Sequence, residues 1–377
     1  MNKQGVPIAA AALAAFLVFL YNRRSGSKKG AAPQASTDTK DSGIVRAKFF
    51  YPKPKDGAVR VSELYIHPIK SCRGTPVETA KYNIEGFEHD RQWCIMDVAA
   101  NRIITAREFP KMVLIVPRIE FDTTAPHKGL IHVTFPENSD CTPFTIPLQP
   151  TKDILSNWEI LENVTLWPTH DPLDGYIGRS LSGPADTPST VLSKYFGKSV
   201  HLIYKGPRAR PIDTTPDFPN LKATAWFQDM YPMMVLSEES MADVNQETKG
   251  RVGMQGITES WKEDNVVIRR FRPNVIFSGG GSFAEDNWET IRIGSKGAPN
   301  ITLVSKCARC LLPNVSPDTG EADKAVPYKV LMKFRTGLDP ANKLSPCVGC
   351  NGVPDREGVI KVGDVVYVQK MWEEPQA

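Results

Sequence analysis

The sequence lacks long runs of one charge. No stretch of five or six like charges occurs, which excludes a basic nucleic-acid arm or an acidic interaction tail. Its 46 Lys and Arg against 42 Asp and Glu leave a formal net charge of +4, too mild to argue for nucleic acid. No internal repeat and no long low-complexity tract is present, so a solenoid, a propeller or a disordered array is not expected. No GxGxxG follows a strand-like segment, and Gly279-Gly280-Gly281 reads as a turn rather than a phosphate loop. Flavin or nicotinamide binding therefore has no signature, and reducing equivalents would have to arrive from outside the chain. Cysteine is scarce and odd in number, seven in 377 residues. That excludes a disulfide framework and suits a reducing compartment where some thiols serve as metal ligands.

What is present is ordinary for a chain that buries a core: 41% hydrophobic and 23% charged residues, in a length that allows two domains or one large one. Pro at 31 and Gly at 27 favour many turns and short strands over long helices. Residues 5–21, GVPIAAAALAAFLVFLY, carry no charge and reach the lower limit of about 17 apolar residues for a spanning helix. Lys3 precedes them, and Arg23, Arg24, Lys28 and Lys29 follow. The heavier positive flank predicts a single transmembrane helix with its C-terminal side cytosolic; a cleaved signal peptide would have a shorter core and a small-residue cleavage site. A small, polar stretch at 25–43 then reads as a tether. The expected division is an anchor at 1–22, a linker at 23–58, a first strand-rich region at 59–209 and a second at 210–370. The soft boundary falls in GPRARPIDTTPDFP. Sequons at Asn163, Asn300 and Asn314 are irrelevant to a cytosolic body.

The body predicts strands at 59–71, 111–121 and 130–135, the last alternating with Ile131, Val133 and Phe135 on one face. Further strands are predicted at 274–277, 301–305 and 359–368, with Gly358, Gly363 and Asp364 as hairpin punctuation. Two helices stand out. One is capped at Thr187-Pro188, ends at Gly197 and carries a stripe of Val191, Leu192, Tyr195 and Phe196. The other starts at Ser237 with Glu238 and Glu239 in its first turn.

The sharpest chemical feature is KCARCLLPNVSPDTG at 306–320. Two thiols sit three apart after a strand, with Arg309 between them to favour the thiolate that binds metal. Cys307 and Cys310 with Cys347 and Cys350 could instead form a zinc site from two CxxC pairs, although their separation exceeds the usual ribbon spacing. Cys72, Cys94 and Cys141 read as ordinary buried residues.

Seven motifs occur in one order: LYIHPIKSCRG at 64–74, DRQW at 90–93, SEESMADVN at 237–245, FRPNVIFSG at 271–279, AEDNW at 284–288, RCLLPNVSPDTG at 309–320 and IKVGDVVYV at 360–368. In this the chain resembles the mitochondrial amidoxime reducing component family, built on the C-terminal (MOSC) domain of molybdenum cofactor sulfurases. The resemblance implies a strand-rich α+β fold: a MOSC N-terminal beta-barrel region, then a MOSC-type beta-barrel domain, preceded by the transmembrane helix. It implies molybdenum cofactor, Mo-molybdopterin, with Cys310 as the protein's ligand to the metal. Lys70, Ser71, Arg91, Arg272, Ala308 and Arg309 match cofactor-contacting positions, and cationic and hydroxyl donors suit its terminal phosphate. Asn351 stands where the family has a cofactor-contacting tyrosine, and Met230 and Tyr231 stand where human-type members have small hydroxyl residues. The implied reaction reduces N-hydroxylated compounds such as amidoximes and hydroxylamines. Electrons come from a b5-type cytochrome served by an NADH-dependent cytochrome b5 reductase, at the mitochondrial outer membrane, with no nucleic-acid partner. Asp229 and the Glu285-Asp286 pair, Asp286 in particular, are candidates for proton delivery, against a plain turn or capping role. Two other readings stand beside this one: a zinc-stabilised, membrane-tethered binding module, and a sulfur carrier with a persulfide on Cys310. The large pyridoxal domain that generates sulfur in the sulfurases is lacking.

Overall fold

The computed structural model describes residues 58–373. Their architecture is strand-rich α+β. The largest sheet has eight strands in the order Val366–Met371, Trp288–Ile293, Asn300–Ala308, Cys347–Pro354, Met233–Ser237, Val275–Ser278, Arg60–Ile66 and Thr75–Pro76. All its neighbouring pairs are antiparallel except Met233–Ser237 with Val275–Ser278, which run parallel across the helix Glu238–Lys249. A five-stranded antiparallel sheet has Val200–Lys205 and Trp93–Asp97 at its centre. Two three-stranded sheets complete the fold: Val116–Phe121, Gly129–Thr134 and Phe144–Pro147 form one, and Gly358–Lys361, Thr79–Asn83 and Gly86–Phe87 the other.

Each element follows from its residues. Met233–Ser237 is apolar up to its last residue and buried at every position, as a strand covered on both faces must be. The following helix begins where the Ser237 side chain accepts from the Ser240 amide, with Glu238 and Glu239 in the first turn, the charge arrangement its dipole favours. The other long helix, Thr187–Phe196, buries Val191, Leu192, Tyr195 and Phe196 and ends at Gly197 in the left-handed conformation. Its cap is Asp186, so Thr187 lies one position inside the helix. The strand at 130–135 is Gly129–Thr134, with Ile131 and Val133 inside.

Three expectations are corrected. Residues 111–114 form a 3₁₀ turn, Pro110–Leu114, before the strand Val116–Phe121. Gly363 and Asp364 do turn the chain, and Asp364 accepts from the Lys361 amide. They join no hairpin, because Gly358–Lys361 pairs with Thr79–Asn83 while Val366–Met371 pairs with Trp288–Ile293. The third is the expected transmembrane helix. No helix among the described residues is long and apolar enough to cross a membrane, and the span expected at 1–22 lies outside them.

The core centres on Trp93, wholly buried, with Trp158 and Tyr204 rings at 5.9 and 5.0 Å. The packing is tight: a Cβ added to Gly178 would lie 2.5 Å from the Trp93 ring. Truncation here leaves a cavity that neighbours cannot close. Trp93→Ala is therefore expected to lower unfolding stability by about 3–5 kcal/mol, read from urea denaturation followed by circular dichroism. A loss below about 1 kcal/mol would show that the site collapses without cost.

Candidate functional site

Two loops are laced together by the protein's own hydrogen bonds. Asp90 has no solvent exposure, and its carboxylate accepts from the His67 amide at 2.8 Å and from Arg91 Nη1 at 2.5 Å. The Arg91 amide donates to the His67 carbonyl at 2.7 Å, and the Lys70 amide to the Trp93 carbonyl at 2.8 Å. Burial works to raise the Asp90 carboxyl, but Arg91 and His67 outweigh it and hold the group below its usual range. The stretch that follows the strand Arg60–Ile66 is thereby fixed to the one that precedes Trp93–Asp97, and Lys70, Ser71 and Arg91 share a wall.

A third segment meets them. The 3₁₀ turn Ile268–Phe271 ends at Arg272, whose amide donates to the Arg269 carbonyl. Arg91 Nη2 donates to the Arg272 carbonyl at 3.0 Å, and Arg272 Nη1 to the Cys72 carbonyl at 2.6 Å. Asn274 joins the three segments: its Oδ1 accepts from Arg91 Nη1 and the Met234 amide, and its Nδ2 donates to the Tyr65 carbonyl. The fourth segment leaves the strand Asn300–Ala308. Arg309 is pinned by donation from Nε to the Val348 carbonyl at 3.0 Å and from Nη1 to the Phe271 carbonyl at 3.2 Å, and its guanidinium lies 5.1 Å from the Phe271 ring centre. Cys310 follows, half-buried, and its sulfur accepts from the Leu312 amide at 3.5 Å.

These segments enclose one cavity with about 800 Å³ of open space including its mouth. Lys70, Ser71, Arg91, Asp229, Arg272, Ala308, Arg309, Cys310 and Asn351 all line it. Of the residues singled out from sequence, Asp286 lies elsewhere, as do Glu285, Cys347 and Cys350. Asp286 is buried against Arg335 at 2.5 Å, and Arg335 in turn donates to the Cys347 carbonyl. Its partner Glu285 accepts from Ser240 Oγ at 3.0 Å near the start of the helix Glu238–Lys249, and burial with Asp286 beside it pushes its carboxyl up to about 7. The pair holds a helix start and a core arginine, off the cavity.

The cavity is strongly cationic. Lys70, Arg91, Arg270, Arg272 and Arg309 face a single carboxylate, Asp229. Burial pushes the Lys70 ammonium down to about 8, with Asp229 opposing and Arg210 and Arg107 adding to the shift. Burial also lowers Arg272, to about 10, and the Arg91 charge adds to it. Asp229 is half exposed and bonded to Lys70. Its desolvation is outweighed by Lys70 and Arg107, which hold the carboxyl well below the usual range. At neutral pH it is a counter-charge that carries no proton to give, so the role of general acid does not suit it. The Tyr231 hydroxyl, raised by burial to about 12, keeps its proton there. Arg272 Nη2 and Arg270 Nε are buried without a partner, a cost of about 1–3 kcal/mol for each donor left so.

This donor set fits a phosphate-bearing pterin whose metal takes one protein sulfur. Forked and point cations with the Ser71 hydroxyl suit a dianion, and two thiols, Cys307 and Cys310, line the cavity, with burial raising that of Cys307. A four-thiol zinc centre does not fit. Among the described residues no three His, Cys, Asp or Glu side chains are arranged to hold a metal ion. Along the strand Cys347–Pro354 successive side chains alternate faces: Asn351 faces the cavity and donates to Ser305 Oγ, while Cys350 turns away and donates to the Glu285 carbonyl. Burial raises Cys350 well above an ordinary thiol and Cys347 to about 12, so neither offers a thiolate.

Sequence reasoning missed Arg270, Asn274, and Trp167 with Arg107. Arg270 belongs to the same RRFR run as Arg272, and that clustering was the available signal. Trp167 lies 5.4 Å from Lys70 Nζ and 4.4 Å from the Arg107 guanidinium, contacts between residues far apart in the chain. Three lining residues, Ser71, Arg91 and Arg272, have left-handed φ of 67°, 50° and 58°, a strain of about 1–3 kcal/mol apiece that clusters where function is built.

Residues 58–171 match the model of the MOSC N-terminal beta barrel domain and residues 223–367 that of the MOSC domain. The chain is similar to mitochondrial amidoxime-reducing component 1 of Homo sapiens, 29% identical over 319 residues, and of Mus musculus, 30% identical over 326 residues; each alignment covers 82% of both chains. It is also similar to the molybdenum cofactor sulfurase of Oryza sativa subsp. japonica, 24% identical over 279 residues, covering 74% of this chain and 31% of that one.

Because Lys70 must be protonated to hold an anion, affinity for phosphate dianion should fall as pH rises through and beyond about 8. Titration calorimetry with inorganic phosphate reads this directly. Lys70→Met should bind about tenfold more weakly, the worth of one charge-assisted hydrogen bond, and show no fall in that window. Wild-type affinity that holds or rises there would reject the assignment.

Proposed function

The chain belongs to the family of the mitochondrial amidoxime-reducing components, whose MOSC function is molybdenum-cofactor related, and from that premise we propose that it is a molybdenum-dependent reductase of N-hydroxylated compounds. The observation that carries the reading is the company Cys310 keeps. Cys310 and Cys307 both line a cavity with five cationic side chains; burial raises the Cys307 thiol, while the Cys310 sulfur accepts a backbone amide hydrogen bond.

The overall change is R–NHOH + 2 e⁻ + 2 H⁺ → R–NH₂ + H₂O, and likewise amidoxime to amidine. The cofactor, when bound, supplies the two-electron, oxygen-accepting chemistry. The chain's residues do the rest. Lys70, Ser71, Arg91 and Arg272 would hold the cofactor's phosphate, with Ala308 and Arg309 as further residues to hold the cofactor. Cys310 would provide the protein's sulfur, positioned by donation from the Leu312 amide. Asp229 balances Lys70 and orients it through their hydrogen bond. Tyr231, buried and protonated, is a neutral donor facing the cavity. Asn351 presents an amide where relatives of the human type present a phenol, which changes the shape of the pocket beside Ser305.

Electrons come from a b5-type cytochrome reduced by an NADH-dependent cytochrome b5 reductase. Such a carrier delivers them singly, so two deliveries serve each turnover. A mitochondrial location belongs to the same reading, extended from the relatives' names.

The test is Cys310→Ala, with turnover of a benzamidoxime-type substrate measured in the reconstituted electron chain. Reduction should drop to background while pterin content stays near wild type, since phosphate contacts hold the tail independently of the metal bond. Retained turnover in this variant would sink the proposal. So would purification of the wild type without pterin from a host that makes the cofactor.

A further inference from the structure

A second, smaller cavity lies beside the first, with about 490 Å³ of open space including its mouth to solvent. The two share Arg270, Arg272 and Leu312 as a common wall. The second has its own composition. Arg73 and Arg269 line it and do not line the first cavity, and its remaining surface is mostly apolar, with Tyr65, Val113, Val315 and Pro317 among its contributors. Four guanidinium groups around an apolar hollow are costly unless something neutralises them. Backbone carbonyls do part of it. Arg270 Nη1 donates to the Pro313 and Asn314 carbonyls at 3.2 and 3.0 Å, and Arg73 donates to the Val113 and Pro317 carbonyls. Arg270 Nε and Arg272 Nη2 remain buried with no partner.

One carboxylate already hovers at this place. Asp318 Oδ1 lies 3.9 Å from Arg73 Nη2 and 3.6 Å from Arg269 Nη2. Both distances exceed a hydrogen bond, and the Asp318 side chain is 55% exposed. The exposed turn carrying it therefore offers a loosely held internal carboxylate at the edge of an arginine cluster that still has donors to spare.

We propose that this second cavity is a binding site for a small organic carboxylate with an apolar body. The carboxylate seats between Arg73 and Arg269, displaces Asp318, and reaches toward the buried donors of Arg270 and Arg272. The apolar body lies against Val113, Val315 and Pro317. A guanidinium fork matches the two oxygens of a carboxylate, and an inorganic anion would leave the apolar wall unused. Nothing in this proposal requires the first cavity to hold the proposed cofactor, although Arg270 and Arg272 line both.

The probe is benzoate, titrated into the full chain by calorimetry, with benzamide as its uncharged counterpart. Benzoate should bind one to one, and benzamide at least about tenfold more weakly, as expected when charge-assisted hydrogen bonds are lost. Arg73→Gln with Arg269→Gln should weaken benzoate by about tenfold or more. These side chains are 29% and 39% exposed, so the fold should tolerate the change, and circular dichroism checks it. If that variant does not fold, the exposed Asp318→Asn carries the test alone. It removes the internal competitor and should tighten benzoate several-fold. Lys70→Met, confined to the first cavity, should leave benzoate affinity unchanged. Equal binding of benzamide, indifference to the arginine substitutions, weakening by Asp318→Asn, or loss of benzoate in Lys70→Met would each overturn the assignment.

Discussion

A carboxylate with no solvent exposure must be neutralised where it lies, and Asp90 is that carboxylate here. It takes the His67 amide and the Arg91 guanidinium at once. Loss of one partner from a buried pair costs about 3–5 kcal/mol, far more than an exposed ion pair contributes. The chain is thus committed at this point to a single relative placement of two loops. Everything on the Lys70 side of the cavity inherits it. Arg91 is held on one end by Asp90, and its other end is free to fix the Arg272 carbonyl, so the constraint passes from the first motif to the fourth.

The cavity poses the opposite problem. Asp90 is a buried anion with its cations in place, whereas the cavity gathers cations with one anion among them. Burial has already lowered Lys70 and Arg272, the expected response of charged groups crowded away from water. An incoming dianion reverses that response, so part of its binding energy comes from relieving mutual repulsion among residues that the fold forces together. Left-handed backbone at Ser71, Arg91 and Arg272 belongs to the same design: strain is held by the scaffold so that donors converge before the ligand arrives.

Much of this could be read from the sequence, for identifiable reasons. The helices were legible because their signals are local: Ser237 and Gly197 act on residues within one turn. The strand at 130–135 was legible because burial alternates on it. Gly363 and Asp364 were legible as a turn and illegible as to partners, because pairing of Gly358–Lys361 with Thr79–Asn83 spans most of the chain. The cavity residues were legible through motif resemblance, which carries long-range information that composition and periodicity do not. Asp286 shows the limit of that source. A motif places a residue near a site without saying which face it takes, and here the face belongs to Arg335. Arg270 shows the converse, a residue in plain view beside Arg272 whose role depends on a wall shared by two cavities.

That shared wall gives the site its internal logic. Leu312 lines both cavities, and its amide supports the Cys310 sulfur. Arg272 lines both, and its carbonyl anchors Arg91. Any group that draws the Arg272 guanidinium toward one cavity withdraws positive charge from the other, because a single delocalised cation cannot serve two anions at full strength. Coupling of that kind needs no conformational change. It follows from Coulomb's law in a region where burial has removed most of the water that would screen it, and thermodynamic linkage makes it reciprocal. The proposed cofactor phosphate and the proposed carboxylate would therefore oppose one another through this residue, and the size of that opposition would measure how much of the first cavity's field Arg272 supplies.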